Sequence, residues 1–317
     1  MNGFRAMLAG VALIWAVSAA AQAVTGVQPL LEFDMANWDS AAGNLPNSGN
    51  LPAAQALRMT PGTGMADWAP SIPSTAFGVP EYVSGGAGPL GRPYLSFEKY
   101  GYLAGSTYDQ SIFNNNPDGI VGYTMVGYLR VDGLASATTG GIGVAQSGGG
   151  NLFLYTDGTG SLYSNTAIYD VDAPNYRREE DFNTWHNITG MGILPAAGTW
   201  FQFVKVFDVM NQEILYYVNG VLACDPIAFD FHAQRGDEAD IRFAGGFIDH
   251  IGDVGTNGSD GNRAIKGLDY SYFAAYDCPL TADQVMQSYM YLTTGVPEPA
   301  TMTLLVLGGA AMLRRRK

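Results

Sequence analysis

The stretch Trp200-Phe201-Gln202-Phe203-Val204-Lys205-Val206-Phe207, followed after a short polar turn by Ile214-Leu215-Tyr216-Tyr217-Val218-Asn219-Gly220-Val221-Leu222-Ala223-Cys224, decides the fold. Its runs are rich in β-branched and aromatic residues, which favour extended backbone. Asn219-Gly220 tolerates the positive φ values of a type I′ turn, so the pattern predicts a hairpin. Phe201, Phe203 and Phe207 fall on one face of the first run, and Trp200, Val204 and Val206 on the other. A strand wet on one side alternates apolar with polar. This one is apolar on both, which places it deep in a sandwich of two sheets.

Upstream, residues 30–34 predict a first short strand. Residues 35–91, rich in Pro, Gly, Asn and Ser, predict mostly loop, with short strands at 56–59 and around Phe77. Strand signals then become regular at 94–97, 101–103, 120–131, 141–146, 151–156 and 161–163. Residues 170–198 read as an irregular polar segment. Beyond the hairpin lie strand signals at 240–243 and 264–276, with a Gly/Asp/Asn loop at 252–261 between them. Thr281 with Gln284 forms a capping-box pattern, and Asp283 suits a first helical turn. Val285, Met286, Tyr289 and Leu292 share one apolar face, so a helix of about ten residues follows the last strand. Many short strands and one terminal helix specify an all-β sandwich.

Both ends read as addresses. Residues 1–23 carry one charge, Arg5, an apolar centre from Met7 to Val17 and an Ala21-Gln22-Ala23 exit. That is the layout of a signal peptide cleaved after Ala23; a short membrane anchor is the alternative. At the other end, Pro297-Glu298-Pro299 precedes 14 uncharged residues, 300–313, and then Arg314-Arg315-Arg316-Lys317. As a helix the uncharged run is about 21 Å long, under the ~30 Å hydrocarbon core, so it relies on bilayer thinning or snorkelling arginines. The basic end stays on the cytoplasmic side. The three-part tail, residues 297–317, resembles PEP-CTERM sorting signals. The resemblance implies an exported protein, a transient inner-membrane anchor, an exosortase-type processing enzyme acting near Pro297-Glu298-Pro299, and delivery to the cell surface or extracellular matrix. An ordinary tail anchor is the alternative.

Residues 24–296 are expected to form one domain. Setting aside Arg5 and the four basic tail residues leaves 11 Lys+Arg, and setting aside Glu298 leaves 28 Asp+Glu, a net charge of −17. So acidic a surface repels phosphate backbones, which argues against nucleic acid as a partner. It suits solubility and divalent cations. Cys224 and Cys278, in an oxidising compartment, are expected to form one disulfide between the hairpin and the chain end. It would contribute about 4 kcal/mol in the chain-entropy model; two free thiols are the alternative.

Four stretches of the mature chain resemble LamG-like, concanavalin-A-like jelly-roll domains. They are residues 30–34 with Asn47-Ser48-Gly49-Asn50, residues 94–103 leading into 123–130, the Trp200 hairpin with Leu215-Tyr216-Tyr217-Val218-Asn219-Gly220, and Ile265-Lys266-Gly267-Leu268-Asp269-Tyr270 through Leu280-Thr281-Ala282-Asp283-Gln284-Val285. The resemblance spans roughly residues 30–292 and implies a jelly-roll β-sandwich with one short C-terminal helix. Phe201 departs from the family's histidine after the hairpin tryptophan, and the 35–91 segment has no counterpart there. The resemblance further implies a structural Ca²⁺ between first and last strands, with Asp269 as one ligand and Glu32 or Asp34 as its partner. The loop holding Asp253, Asn257, Asp260 and Asn262 is a second oxygen-rich candidate.

Catalysis finds little support. Glycosidases flank the scissile bond with two carboxylates. Here Glu238 and Asp240 lack a following glutamate, and Glu179-Glu180-Asp181 is contiguous, which sends neighbours to opposite faces. His186, His232 and His250 have no metal-ligand spacing. Trp38, Trp68 and Trp185 stand in polar contexts where a flat ring can be presented to a glycan. The sequence therefore predicts a non-catalytic surface or matrix protein that binds extracellular polysaccharide or serves adhesion. A polysaccharide-active enzyme on the same fold, and a ligand-free structural surface protein, are the alternatives.

Overall fold

The computed structural model describes residues 27–50, 57–61, 81–84, 89–98, 101–104, 122–132, 139–143, 152–157, 161–170, 182–229, 241–243, 250–251 and 267–294. In chain order the strands begin with β1 (Leu31–Asp34), β2 (Asn44–Leu45), β3 (Leu57–Pro61), β4 (Glu81–Val83), β5 (Tyr94–Ser96) and β6 (Gly101–Ala104). Next come β7 (Gly122–Val131), β8 (Thr139–Gly143), β9 (Leu152–Asp157), β10 (Leu162–Asp170), β11 (Phe182–Asn187) and β12 (Trp200–Asp208). The chain continues through β13 (Glu213–Val218), β14 (Val221–Leu222), β15 (Ile227–Ala228), β16 (Ile241–Phe243), β17 (His250–Ile251) and β18 (Leu268–Tyr276) to helix α1 (Ala282–Thr294).

They assemble into two antiparallel sheets. The first runs β14-β13-β12-β7-β18-β5-β4, with β1 also on β18 and β15 on β13; the second runs β11-β10-β9-β8-β17-β6-β3-β2, with β16 on β10. The sheets face each other across an apolar core: Phe153 of β9 meets Phe203 of β12 at 5.2 Å and Phe273 of β18 at 5.6 Å between ring centroids. The approach is close. A Cβ at Gly127 would lie 2.6 Å from the Phe153 ring, so glycine is required where the second sheet presses on β7. This is the all-β sandwich with a C-terminal helix that the sequence predicts.

The Trp200 hairpin forms as read. Asn219 and Gly220 adopt φ of 53° and 79°, the two positive values a type I′ turn demands. Every residue from Phe201 to Phe207 is buried. Phe201, Phe203 and Phe207 face the inter-sheet core. Val204 and Val206 face the other way, onto a second cluster with Tyr217, Tyr272, Val285 and Leu292. Helix α1, rather than a further sheet, therefore covers that second apolar face. Gln202 clasps the arrangement: its Nε2 donates to Ser288 Oγ of the helix at 3.2 Å, and its Oε1 accepts from Gly220 N–H at 3.1 Å.

The capping box is formed in both directions, Gln284 N–H to Thr281 Oγ1 at 3.3 Å and Thr281 N–H to Gln284 Oε1 at 2.8 Å. Two expectations are corrected. Residues 170–198 are not all irregular, because β11 lies within them; its inward residues Thr184 and His186 are polar, which removes the apolar period that marks a strand. Cys224 and Cys278 are not bridged but free. Cys224 packs against the inter-sheet core and Cys278 against the helix-side cluster, so the sheet itself lies between them. Burial raises both thiol pKa values, that of Cys278 to about 11. The signal-peptide residues, the tail, the Phe77 segment and the loop at 252–261 lie outside the described residues.

Candidate functional site

The carboxylates expected to hold calcium are all placed, and they do not converge. Asp34 accepts from Ala36 N–H at 2.9 Å and pairs with the Arg92 guanidinium. Glu32 accepts from Ser48 Oγ at 2.8 Å and from Tyr272 OH at 2.9 Å; burial raises its pKa, against the lowering effect of those two donors. Asp269 accepts from Arg130 Nε at 2.8 Å and also pairs with that guanidinium's Nη2. Arg130 is itself held by Asp132 at 2.9 Å and lies over the rings of Tyr94 and Trp200, 5.6 and 5.4 Å from their centroids. Among the described residues no three His, Cys, Asp or Glu side chains gather as a metal site. The residues present do not fit a Ca²⁺ ion, because each aspartate is already neutralised by an arginine.

The tryptophans separate clearly. Trp38 follows a short 3₁₀ turn, is half-buried against the core, and stacks on Tyr82 at 5.6 Å and 24°. Trp68 lies outside the described residues. Trp185 is the exception, on the outer face of β11 with 41% of its surface exposed.

Strand β11 is the last strand of its sheet, and its alternation builds the site. Thr184 and His186 turn inward. His186 Nδ1 bonds Tyr216 OH at 2.7 Å and its Nε2 meets Thr184 Oγ1 at 3.3 Å, so the edge strand is anchored to the opposite sheet. Burial, with a smaller contribution from Lys205, pushes His186 down to about 4. Lys205 shares that interior. It is fully buried, donates to the Asn165 carbonyl and lies 5.5 Å from the Tyr123 ring centroid; burial alone drives its pKa well down. The acceptor is available because β10 pairs with β9 only at Leu162–Tyr163 and with β16 only from Ile168.

Trp185 and Asn187 turn outward. In register, Trp185 stands opposite Asn165, and Asn187 opposite Tyr163. Asn187 Nδ2 donates to Tyr163 OH at 3.4 Å, while its Oδ1 accepts from Gly190 N–H at 2.7 Å. The amide is therefore fixed in orientation at the start of an exposed turn that also carries Met191, 37% exposed. An exposed indole, a phenol and an oriented amide on one strand pair can take a flat, hydroxyl-bearing ligand: the ring offers a rigid apolar face, the amide donors and acceptors. Tyr163 and Asn187 were not among the sequence candidates. The period-two pair Trp185/Asn187 was the available signal, while Tyr163 is 24 residues away in sequence.

Residues 295–317 match the profile of the PEP-CTERM protein-sorting motif. That motif marks an exported protein sorted through an exosortase. Among the described residues no helix is long and apolar enough to cross a membrane. No curated protein matches the chain. Among solved structures it is similar to botulinum neurotoxin type C, dependent on interaction with two ganglioside molecules for entering cells, at 12% identity and a TM-score of 0.46, over 84% of this chain and 51% of that one. It is similar to the binding domain of botulinum neurotoxin DC in complex with rat synaptotagmin II, at 12% identity and a TM-score of 0.43, over 84% and 52%. A Trypanosoma rangeli sialidase in complex with sialic acid is matched at 11% identity and a TM-score of 0.46, over 92% and 40%. The chain thus spans about half the length of the toxin structures and less of the sialidase.

Proposed function

We propose that this is a cell-surface or extracellular-matrix protein whose sandwich binds carbohydrate through the Trp185 face, as an adhesion module without catalysis. Residues 1–23 direct export. The tail at 297–317 is held briefly in the inner membrane, with Arg314, Arg315 and Arg316 on the cytoplasmic side, until an exosortase-type enzyme acts near Pro297-Glu298-Pro299. The observation that carries the binding role is an exposed indole beside an amide fixed by two hydrogen bonds on a rigid strand pair. Pre-oriented groups lose little freedom on binding, which favours even a shallow site. In support of a non-catalytic role, the buried carboxylates Glu32, Asp34 and Asp269 are all engaged by hydroxyls or arginines of their own sheet and the loops beside it.

The test uses the purified full chain in polysaccharide affinity gels, with a reducing-sugar release assay in parallel. Retention that Trp185→Ala removes, without product release, is the expected result. Steady release of reducing ends would contradict the non-catalytic role.

A further inference from the structure

The chemistry of the Trp185 face narrows the ligand class, an inference that rests on the carbohydrate reading above. The geometry points to an uncharged polysaccharide, held through hydroxyl groups and a C–H face, and not to a uronate, sialate or sulfated chain. The side chains that the structure gathers there are neutral: the Trp185 indole, the Tyr163 phenol, the Asn187 amide and the Met191 thioether. Residues 188–198, which turn away from Asn187, carry no charge at all. Residues 170–181, which lead into β11, carry five carboxylates (Asp170, Asp172, Glu179, Glu180 and Asp181) against two guanidiniums, Arg177 and Arg178. Lys205, on the inner side of the same strand pair, is fully buried and bound to the Asn165 carbonyl, so its amine does not reach a ligand on the outer face.

An anionic glycan draws its affinity from charge-assisted bonds, roughly twice as strong as neutral ones. The Trp185, Tyr163, Asn187 and Met191 side chains offer none, and an anion approaching them meets the field of a domain with a net charge of −17. A neutral sugar suffers neither loss. A hydroxyl both donates and accepts, and the Asn187 amide can answer in both senses. Of its two N–H donors one points to Tyr163, and of its two acceptor lone pairs one is taken by Gly190. The remaining donor and acceptor, beside a flat ring, match adjacent equatorial hydroxyls on a pyranose whose C–H face lies on the indole.

Affinity electrophoresis of the full chain in dextran, galactomannan, alginate and hyaluronan gels tests this. Retardation by a neutral polysaccharide is expected, unchanged in strength between about 0.05 and 0.5 M NaCl because no charges need screening. Trp185→Ala should weaken it about tenfold and Trp185→Phe less, each with an unaltered circular dichroism spectrum. Retardation only by alginate or hyaluronan, fading with salt, overturns the charge class while leaving carbohydrate binding intact. Retardation by none of the four overturns the carbohydrate reading itself, and this inference with it.

Discussion

Strand β12 and strand β11 treat their two faces in opposite ways. Every residue from Phe201 to Phe207 is buried, one face under the second sheet and the other under helix α1. In β11 the inward His186 engages the interior through Tyr216, while the outward Trp185 stays 41% exposed. A strand covered on both faces can only be scaffold. An edge strand covered on one face, with its backbone pinned to the opposite sheet, can present rigid side chains to a ligand. Changes in β12 should therefore cost the fold, and changes in the outer face of β11 should cost binding alone.

The largest effect is expected from Phe203→Ala, which empties a site packed by Phe153 and Tyr216. Chemical denaturation should register a loss of about 3–5 kcal/mol. Next comes Arg130→Gln, which strands Asp269 with little compensation; since Arg130 is partly exposed, the loss should fall somewhat below the ~3–5 kcal/mol of a fully buried pair. Because the guanidiniums already neutralise Asp34 and Asp269, a chelator should leave the melting temperature of the wild-type chain unchanged. A drop with chelator that added calcium reverses would show that a cation shares the work of Arg92 and Arg130.

A smaller effect concerns the anchor between the two regions. His186 titrates near 4 in the folded chain, below the ~6.5 of an unfolded histidine, so the unfolded state binds the extra proton between those values. Its contribution is intact above about pH 6.5 and declines as the pH falls toward about 4. Glu32, raised by burial, acts with the opposite sign, since folding favours its protonated form. The difference between wild type and His186→Gln isolates the histidine: the variant should lose less stability across that window. Smallest of all should be Trp185→Ala on stability, within about 0.5 kcal/mol, since the residue is an exposed one on an edge strand.

The contrast between the strands also explains what could be read in advance. The hairpin and helix α1 were legible because local chemistry and burial agree: Asn219-Gly220 demands its turn, Thr281 and Gln284 their cap, and the apolar residues keep period. Strand β11 was not, because Thr184 and His186 point inward as polar residues whose partners lie on other strands. Lys205, set between Phe203 and Phe207, gave no local sign of the Asn165 carbonyl that it satisfies. Asp34 and Arg92 meet across 58 residues, a pairing that neither local pattern nor resemblance announced. Trp185 was singled out for its context, yet its contrast with Trp38 lies in burial, which a single chain of letters does not carry.

Hydroxyl-radical footprinting of the full chain, with and without the neutral polysaccharide that retards it, bears most directly on the division of labour between the two strands. Protection should concentrate on Trp185, Tyr163 and Met191, while Met210, the exposed methionine beyond β12, keeps its labelling. Protection of Met210 with Trp185 still oxidised at its free rate would contradict the account.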